Sequence, residues 1–435
     1  MDDVTAAAIS PARRSALRLG IAALATLAGC ERGTDGAPSG VATTTITALI
    51  WAPDWPEQMQ QSAAAFSRAH PHIRVDLQFM IGNSVEENLK PKVAANQLPD
   101  LMSVNPNPYA AALADQGLLA DVGHSAAWDN MLTLLKPDWT TPKKKRFGVA
   151  GGVAATLIYY NQSKFQQAGV PRPPTDFDQF LDTCARLKGA GMTPLVLAGG
   201  FPNMLANGPF SAGFANNVAA RQPDWRQALE QGRLALDTPD VAAIFANLKL
   251  LATRGYLQDG YMNTGYDDAL RMFSCGQIAM AFEGTWSAGA LMADRHIEAG
   301  VFGVPWNAPG QTPVPVIGSE TGFAVRNGPR QQAALMFVDF LLGAGFPLQQ
   351  NQRLNVPPMR RVPQPERTDP QVAAYVASIS AAGRTVPPYY EFLPAATIEL
   401  LHPLLQDVLS GKVSPQQAAA SLDASVRQAA GAGLG

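Results

Sequence analysis

Cysteine is nearly absent from this chain: three residues in 435, too few for a disulfide scaffold. Charge is scarce as well. Only 16% of residues are charged, 33 basic against 35 acidic, so there is no field of one sign to hold nucleic acid or an acidic membrane. Beyond the first 30 residues no run of 18 apolar residues occurs, so nothing later reads as a spanning helix. The motifs of common chemistries are missing too. Gly411-Lys412 lacks the upstream glycine and the hydroxyl residue of a phosphate loop. No Gly-x-Gly-x-x-Gly opens a helix, and no Gly-x-Ser-x-Gly, Ser-x-x-Lys or His-Glu-x-x-His is present. His70, His72, His124, His296 and His402 are dispersed, and the pair around Pro71 reads as a surface turn rather than a metal site. Lys143 to Arg146 reads as a solvated basic turn. Neither a cofactor nor a metal nor a catalytic residue is expected. What the chain does have is 47% hydrophobic residues, which excludes disorder and supplies two to three domains' worth of core. Its 38 glycines and 35 prolines predict many turns.

The N-terminus reads as an address. Arg13, Arg14 and Arg18 precede an uncharged run, Leu19 to Gly29, which has the length of a signal h-region. Leu27-Ala28-Gly29-Cys30 resembles the bacterial lipobox, which implies cleavage before Cys30 and a diacylglycerol on its thiol. Export through the Sec or the twin-arginine route stays open. Cleavage would remove three arginines and two aspartates, moving the net charge from −2 to −3. Residues 30–44 carry no hydrophobic period and read as a flexible tether.

Further on, the pattern is strand (Thr45–Trp51), helix (Glu57–Ala69), strand (Ile73–Met80), strand (Leu101–Val104) and helix (Tyr109–Gln116), which predicts an open α/β sheet. Thr175 and Asp178 have capping-box spacing for a helix running to Lys188. A strand is expected at Leu195–Ala198 and another at Ile278–Phe282. Helices are expected over 240–253, 266–274, 284–295, 331–342 and 415–430. Cys184 and Cys275 read as two buried free thiols.

Several segments, in order, resemble the extracellular solute-binding proteins of ABC importers, in the sugar-binding branch that includes maltose-binding protein. They are Leu98–Asp121, Gly148–Asn161 with Gly169-Val170-Pro171, Phe273–Trp286, Gly303–Pro305, Gly318–Val325 with Ala334–Leu342, and Asn355–Arg360. The resemblance covers about residues 45–430. It implies an α/β, two-lobe periplasmic-binding-protein fold, each lobe an open sheet flanked by helices, with three hinge crossings near 151–157, 301–306 and 323–328. The lobes expected are 45–153 plus 304–325, and 154–303 plus 326–435.

The resemblance also implies a monomeric receptor, anchored to a membrane through Cys30, that captures a carbohydrate or related polyol between its lobes. It would deliver that ligand to the membrane subunits of a permease. Nucleic acid is not an expected partner. By position, Trp51, Asp54 and Trp55 would contact ligand from the first lobe, with Asn105, Asn107 and Tyr109 standing where maltose-binding protein uses an acid and a base. Phe201, Asn203, Glu283 and Trp286 would contribute from the second lobe, Glu320 and Thr321 from a returning loop, and Arg360 from a late loop. Tyr389 and Tyr390 are weaker aromatic candidates. Other readings stay open. Asp54, Glu283 and Glu320 could supply the carboxylate pair of an exported glycoside hydrolase, Arg360 could serve a phosphorylated polyol such as glycerol 3-phosphate, and a surface interaction protein is a third possibility.

Overall fold

The computed structural model describes residues 43–52, 55–81, 84–292, 297–350, 356–363, 368–381 and 383–431. The signal segment, Cys30 and almost all of the tether lie outside the described residues. Among the described residues no helix is long and apolar enough to cross a membrane.

The first lobe is built on a four-stranded sheet in the order β2-β1-β3-β9. Its strands are β1 (Thr44–Ile50), β2 (Ile73–Phe79), β3 (Leu101–Val104) and β9 (Gly322–Val325). β1 runs parallel to β2 and β3, while β9 returns antiparallel on β3, pairing Leu101 with Val325 and Val104 with Gly322. The β-branched, apolar β1 is buried toward its C-terminal end, and β2 alternates as an edge strand with one wet face should. Helices α1 (Pro56–Ala69), α2 (Val85–Ala94) and α3 (Pro108–Asp115) cover it. Pro56 and Pro108 occupy first-turn positions, where a missing N–H costs nothing.

The second lobe uses the order β5-β6-β4-β7, with β4 (Val153–Asn161), β5 (Thr193–Val196), β6 (Ile278–Gly284) and β7 (Ala299–Gly303). β4 is antiparallel to both β6 and β7, and is buried along nearly its whole length. Apolar clusters fill both faces of this sheet, one around Phe180, Phe210, Phe245 and Trp306, the other around Tyr159 and Phe273. Helix α4 (Phe177–Gly189) is capped by Asp176, whose carboxylate accepts from Gln179 N at 2.9 Å and from Gln179 Nε2. The cap is therefore one residue later than the Thr175–Asp178 spacing suggests, and Thr175 instead bonds the Gln179 amide oxygen. Helix α5 (Tyr266–Ser274) leads into β6.

The lobes exchange chain at β4, at β8 (Ile317–Ser319) and after Met359. β8 pairs with the start of β4, Val153 opposite Ser319, and the chain then enters β9. Two expectations need correction. Residues 301–306 are not a crossing: Gly303 still pairs with β4, and Val304, Trp306, Val314 and Val316 sit in the second lobe's core. The chain also does not leave the first lobe at residue 326. Arg330 donates to Asp100 Oδ2 at 2.7 Å, beside the bonds from Thr47, which ties the post-β9 turn to β1 and β3. Helix α6 (Gln331–Leu341) then buries Phe337 against Phe66 of α1, ring centroids 4.9 Å apart. Met359 still bridges Met131 in the first lobe. Only then does α7 (Pro370–Ser380) pack on β7, followed by α8 (Ala395–Leu409) and α9 (Pro415–Gly431) in the second lobe. An amphipathic helix goes where its apolar face is matched, and the Phe66–Phe337 contact decides this one.

Candidate functional site

A cleft of about 900 Å³ opens between the lobes over the hinge, near the upper end of the ~300–1,000 Å³ typical of small-molecule sites. From the first lobe come Trp51 and Trp55, at the end of β1 and the entrance of α1. Trp51 is fixed by its N–H, which donates to Ser103 Oγ at 2.9 Å. Asn105 follows β3. Glu86 lies in the first turn of α2, whose Ser84 cap accepts from Glu87 N at 3.1 Å. Glu86 Oε1 accepts from Asn107 Nδ2 at 2.6 Å and from Asn105 Nδ2 at 3.2 Å. Burial raises the Glu86 carboxyl above its ordinary value, against the opposing pull of those amides.

The second lobe contributes Phe201 and Asn203, where β5 runs into an irregular helix. After Leu205 that helix widens into π turns over Ala206–Phe210 and Phe214–Ala219, with Pro209 inside the first. The widening presents Asn207 to the cleft, and Asn207 Nδ2 donates to Asn203 Oδ1 at 2.7 Å. Tyr266 opens α5, with its ring against Phe201 at 5.4 Å and its hydroxyl 3.0 Å from Ser287 Oγ. Ser287 donates in turn to Glu283 Oε2 at 2.7 Å. Trp286 sits in the short turn after β6. Glu320 and Thr321, between β8 and β9, form the floor with Tyr390, and Thr321 Oγ1 donates to Asn105 Oδ1 at 2.7 Å.

Of the residues named from sequence, Trp51, Trp55, Asn105, Phe201, Asn203, Trp286, Glu320, Thr321 and Tyr390 line the cleft. Asp54 lies outside the described residues. Asn107 and Glu283 are buried behind the lining, each holding a residue that reaches it. Tyr109 does not line the cleft. Arg360 does not either: it is exposed on the first lobe, where its guanidinium donates to Asp129 O and its N–H to Asn130 O. Glu86, Gln58, Asn207 and Tyr266 line the cleft and escape the sequence reading. For Glu86 a signal existed, the Ser84-x-x-Glu87 capping-box spacing. For Asn207 none did, because the interior Pro209 argues against a helix.

The lining is acidic. Among the described residues, Glu86, Asp267, Asp268 and Glu320 share the lining with one cation, Arg271, and Arg271 is paired with Asp268. Among the described residues no group of three or more His, Cys, Asp or Glu could hold a metal. Cys184 is buried, and burial pushes its thiol well above the ordinary value. Cys275 is exposed, which corrects the expectation of two buried thiols.

Two lobes, three exchanges of chain and a polar, aromatic cleft over the hinge describe a capture device, and the sequence matches a family of that architecture over residues 52–345, about two thirds of the chain. The chain belongs to the bacterial extracellular solute-binding proteins. As a member of that family it is an exported solute-binding protein, and the family consists of binding proteins rather than enzymes. It is 25% identical over 256 residues to the multiple sugar-binding protein of Streptococcus mutans, a match covering 55% of this chain. The chain thus spans only 57% of that relative's length. It is 21% identical over 328 residues to the melibiose/raffinose/stachyose-binding protein of Bacillus subtilis, covering 73% of this chain and 74% of the relative. Among solved structures, RafE in complex with raffinose shares the fold, with a TM-score of 0.75 at 20% identity over 89% of this chain and 99% of that one.

Proposed function

We propose that this solute-binding protein captures a neutral oligosaccharide between its lobes and hands it, chemically unchanged, to the membrane subunits of an ABC importer. The carrying observation is the composition of the interlobe cleft. Trp51 and Trp55 from the first lobe face Phe201, Tyr266 and Trp286 from the second, with Tyr390 at the floor, and carboxylates and amides stand between them. Aromatic faces suit the C–H faces of pyranose rings, and carboxylates and amides suit hydroxyls that both donate and accept. Rings on both lobes favour a ligand long enough to meet them together. The names of the two relatives and of the raffinose complex support the same ligand class.

A phosphorylated polyol is opposed by the lining. Arg271 is already paired, Arg360 is elsewhere, and four carboxylates would repel a phosphate. The lipobox-like Leu27–Cys30 supports a membrane tether through Cys30, with the body reaching the permease on the segment that follows. The test is a thermal-shift screen of di-, tri- and tetrasaccharides beside their phosphorylated counterparts. A ligand bound only by the folded state raises the melting temperature. Neutral trisaccharides or longer sugars should do so and phosphorylated ones should not.

A further inference from the structure

Tyr390 has two attachments of different kinds. Its ring lines the floor of the cleft, and its hydroxyl donates to the main-chain oxygen of Ser319 at 2.9 Å. Ser319 ends β8, on the segment that carries the chain between the lobes, and pairs with Val153 of the other crossing strand. It is fully buried, and each of its polar groups is engaged. Its N–H donates to Glu391 Oε1 at 2.7 Å, and its Oγ accepts from Trp139 Nε1 at 2.9 Å. Trp139 belongs to the first lobe's core, whereas Tyr389, Phe392 and Leu393 around Tyr390 belong to the second's. One hinge residue is therefore gripped from both lobes.

The grip has no slack. A Cβ on Gly148 or Gly322 would lie 2.6 or 2.7 Å from the Trp139 ring, and one on Gly318 would lie 2.2 Å from Glu391 Oε1. Beside it, Asp138 of the first lobe pairs with Arg226 of the second at 3.3 Å. A rotation about β4 and β8 must move the Ser319 peptide relative to Trp139 or to Tyr390. Movement of the Tyr390 ring is movement of the cleft floor.

We propose that Tyr390 is the positioning residue through which an occupied cleft sets the hinge: its ring senses the ligand and its hydroxyl fixes the Ser319 peptide. The proposal rests on the reading of the cleft as the ligand site. It assigns Tyr390 a coupling energy distinct from contact with ligand, since a two-state element responds to ligand only by the difference in its interaction with the two states.

Tyr390→Phe separates the two roles, because the ring stays and only the hydroxyl is lost. The measurement is an interlobe distance distribution by spin labelling, in a Cys30→Ser background, between the exposed native Cys275 and Gln61→Cys on α1. It is taken with and without raffinose and stachyose, alongside melting temperature and affinity. The ligand-free Tyr390→Phe protein should give a broader distribution than wild type, beside the small fall in melting temperature that losing one buried hydrogen bond brings. Its response to sugar should shrink, and affinity should fall about tenfold, within the range typical of coupled sites. A Tyr390→Phe protein with the wild-type distribution and response overturns the proposal, as does one that only melts earlier. If wild type binds none of the sugars, the carbohydrate reading fails by itself. The ligand-free distributions still decide the hinge role, broader supporting it and identical overturning it.

Discussion

The indole of Trp286 lies over the α-carbon of Gly284, so close that a Cβ there would sit 2.2 Å from the ring. The backbone at Gly284 is ordinary extended chain, so this glycine is required by the approach of the ring and not by its own conformation. The pair closes β6 and aims the indole into the cleft. Gly284→Ala should leave the fold intact, displace the ring and weaken sugar binding about tenfold, ~1.4 kcal/mol. Trp286→Ala, which removes the face altogether, should cost ~2 kcal/mol, about thirtyfold. Titration calorimetry on both variants checks the order.

Arg360 supplies the opposite prediction. Its guanidinium is spent on the Asp129 carbonyl outside the cleft. Arg360→Ala should therefore change sugar affinity by no more than about twofold, as surface substitutions do. A loss of binding on the same titration would reinstate a role for this residue and an anionic ligand with it.

His402 gives the molecule an acid-side weakness. It is buried on α8, its Nε2 lies 2.9 Å from the Tyr389 hydroxyl, and burial lowers its pKa from 6.5 to about 4. The unfolded chain then takes up a proton that the folded one refuses. Stability should fall as pH drops from 6.5 toward 4, by about 3 kcal/mol in all, and level off below. Urea unfolding of His402→Gln should lose that part of the slope.

Glu391 acts in the other direction. Burial first, and the Asp138 carboxylate second, push its carboxyl well above the ordinary 4.5. The folded state here holds a proton that the unfolded state gives up, so stability is lost as pH rises above 4.5. Glu391→Gln should flatten unfolding free energy on the alkaline side. Because the two groups oppose each other between pH 4.5 and 6.5, the single variants, rather than the wild-type profile, resolve them.

Much of the fold is legible in the residues, and several of the failures trace to proline. α5 runs from Tyr266 to Ser274 as its periodicity indicates, and β3 from Leu101 to Val104. Three of the helical segments missing from the sequence pattern carry an interior proline: Pro91 in α2, Pro209 in the π-widened segment and Pro403 in α8, whereas α7, also missing, has its proline only in the first turn. A local rule that proline ends a helix is overridden in those three by apolar faces that pack. The lobe assignment of α6 was not local information at all, since Phe337 meets Phe66 across more than 270 positions of sequence. The cleft divides in the same way. Trp286 and Trp55 stand in recognisable segments, whereas Glu86 becomes a cleft residue only because Asn105 and Asn107 hold it from another element.

On this reading the cleft captures its solute without chemistry. The most direct test is calorimetric titration of the mature protein with raffinose and stachyose, followed by chromatography of the recovered sugar. One saccharide should bind per chain and be recovered intact, with binding diminished by Trp286→Ala. Release of smaller sugars, or no binding of either saccharide, would contradict it.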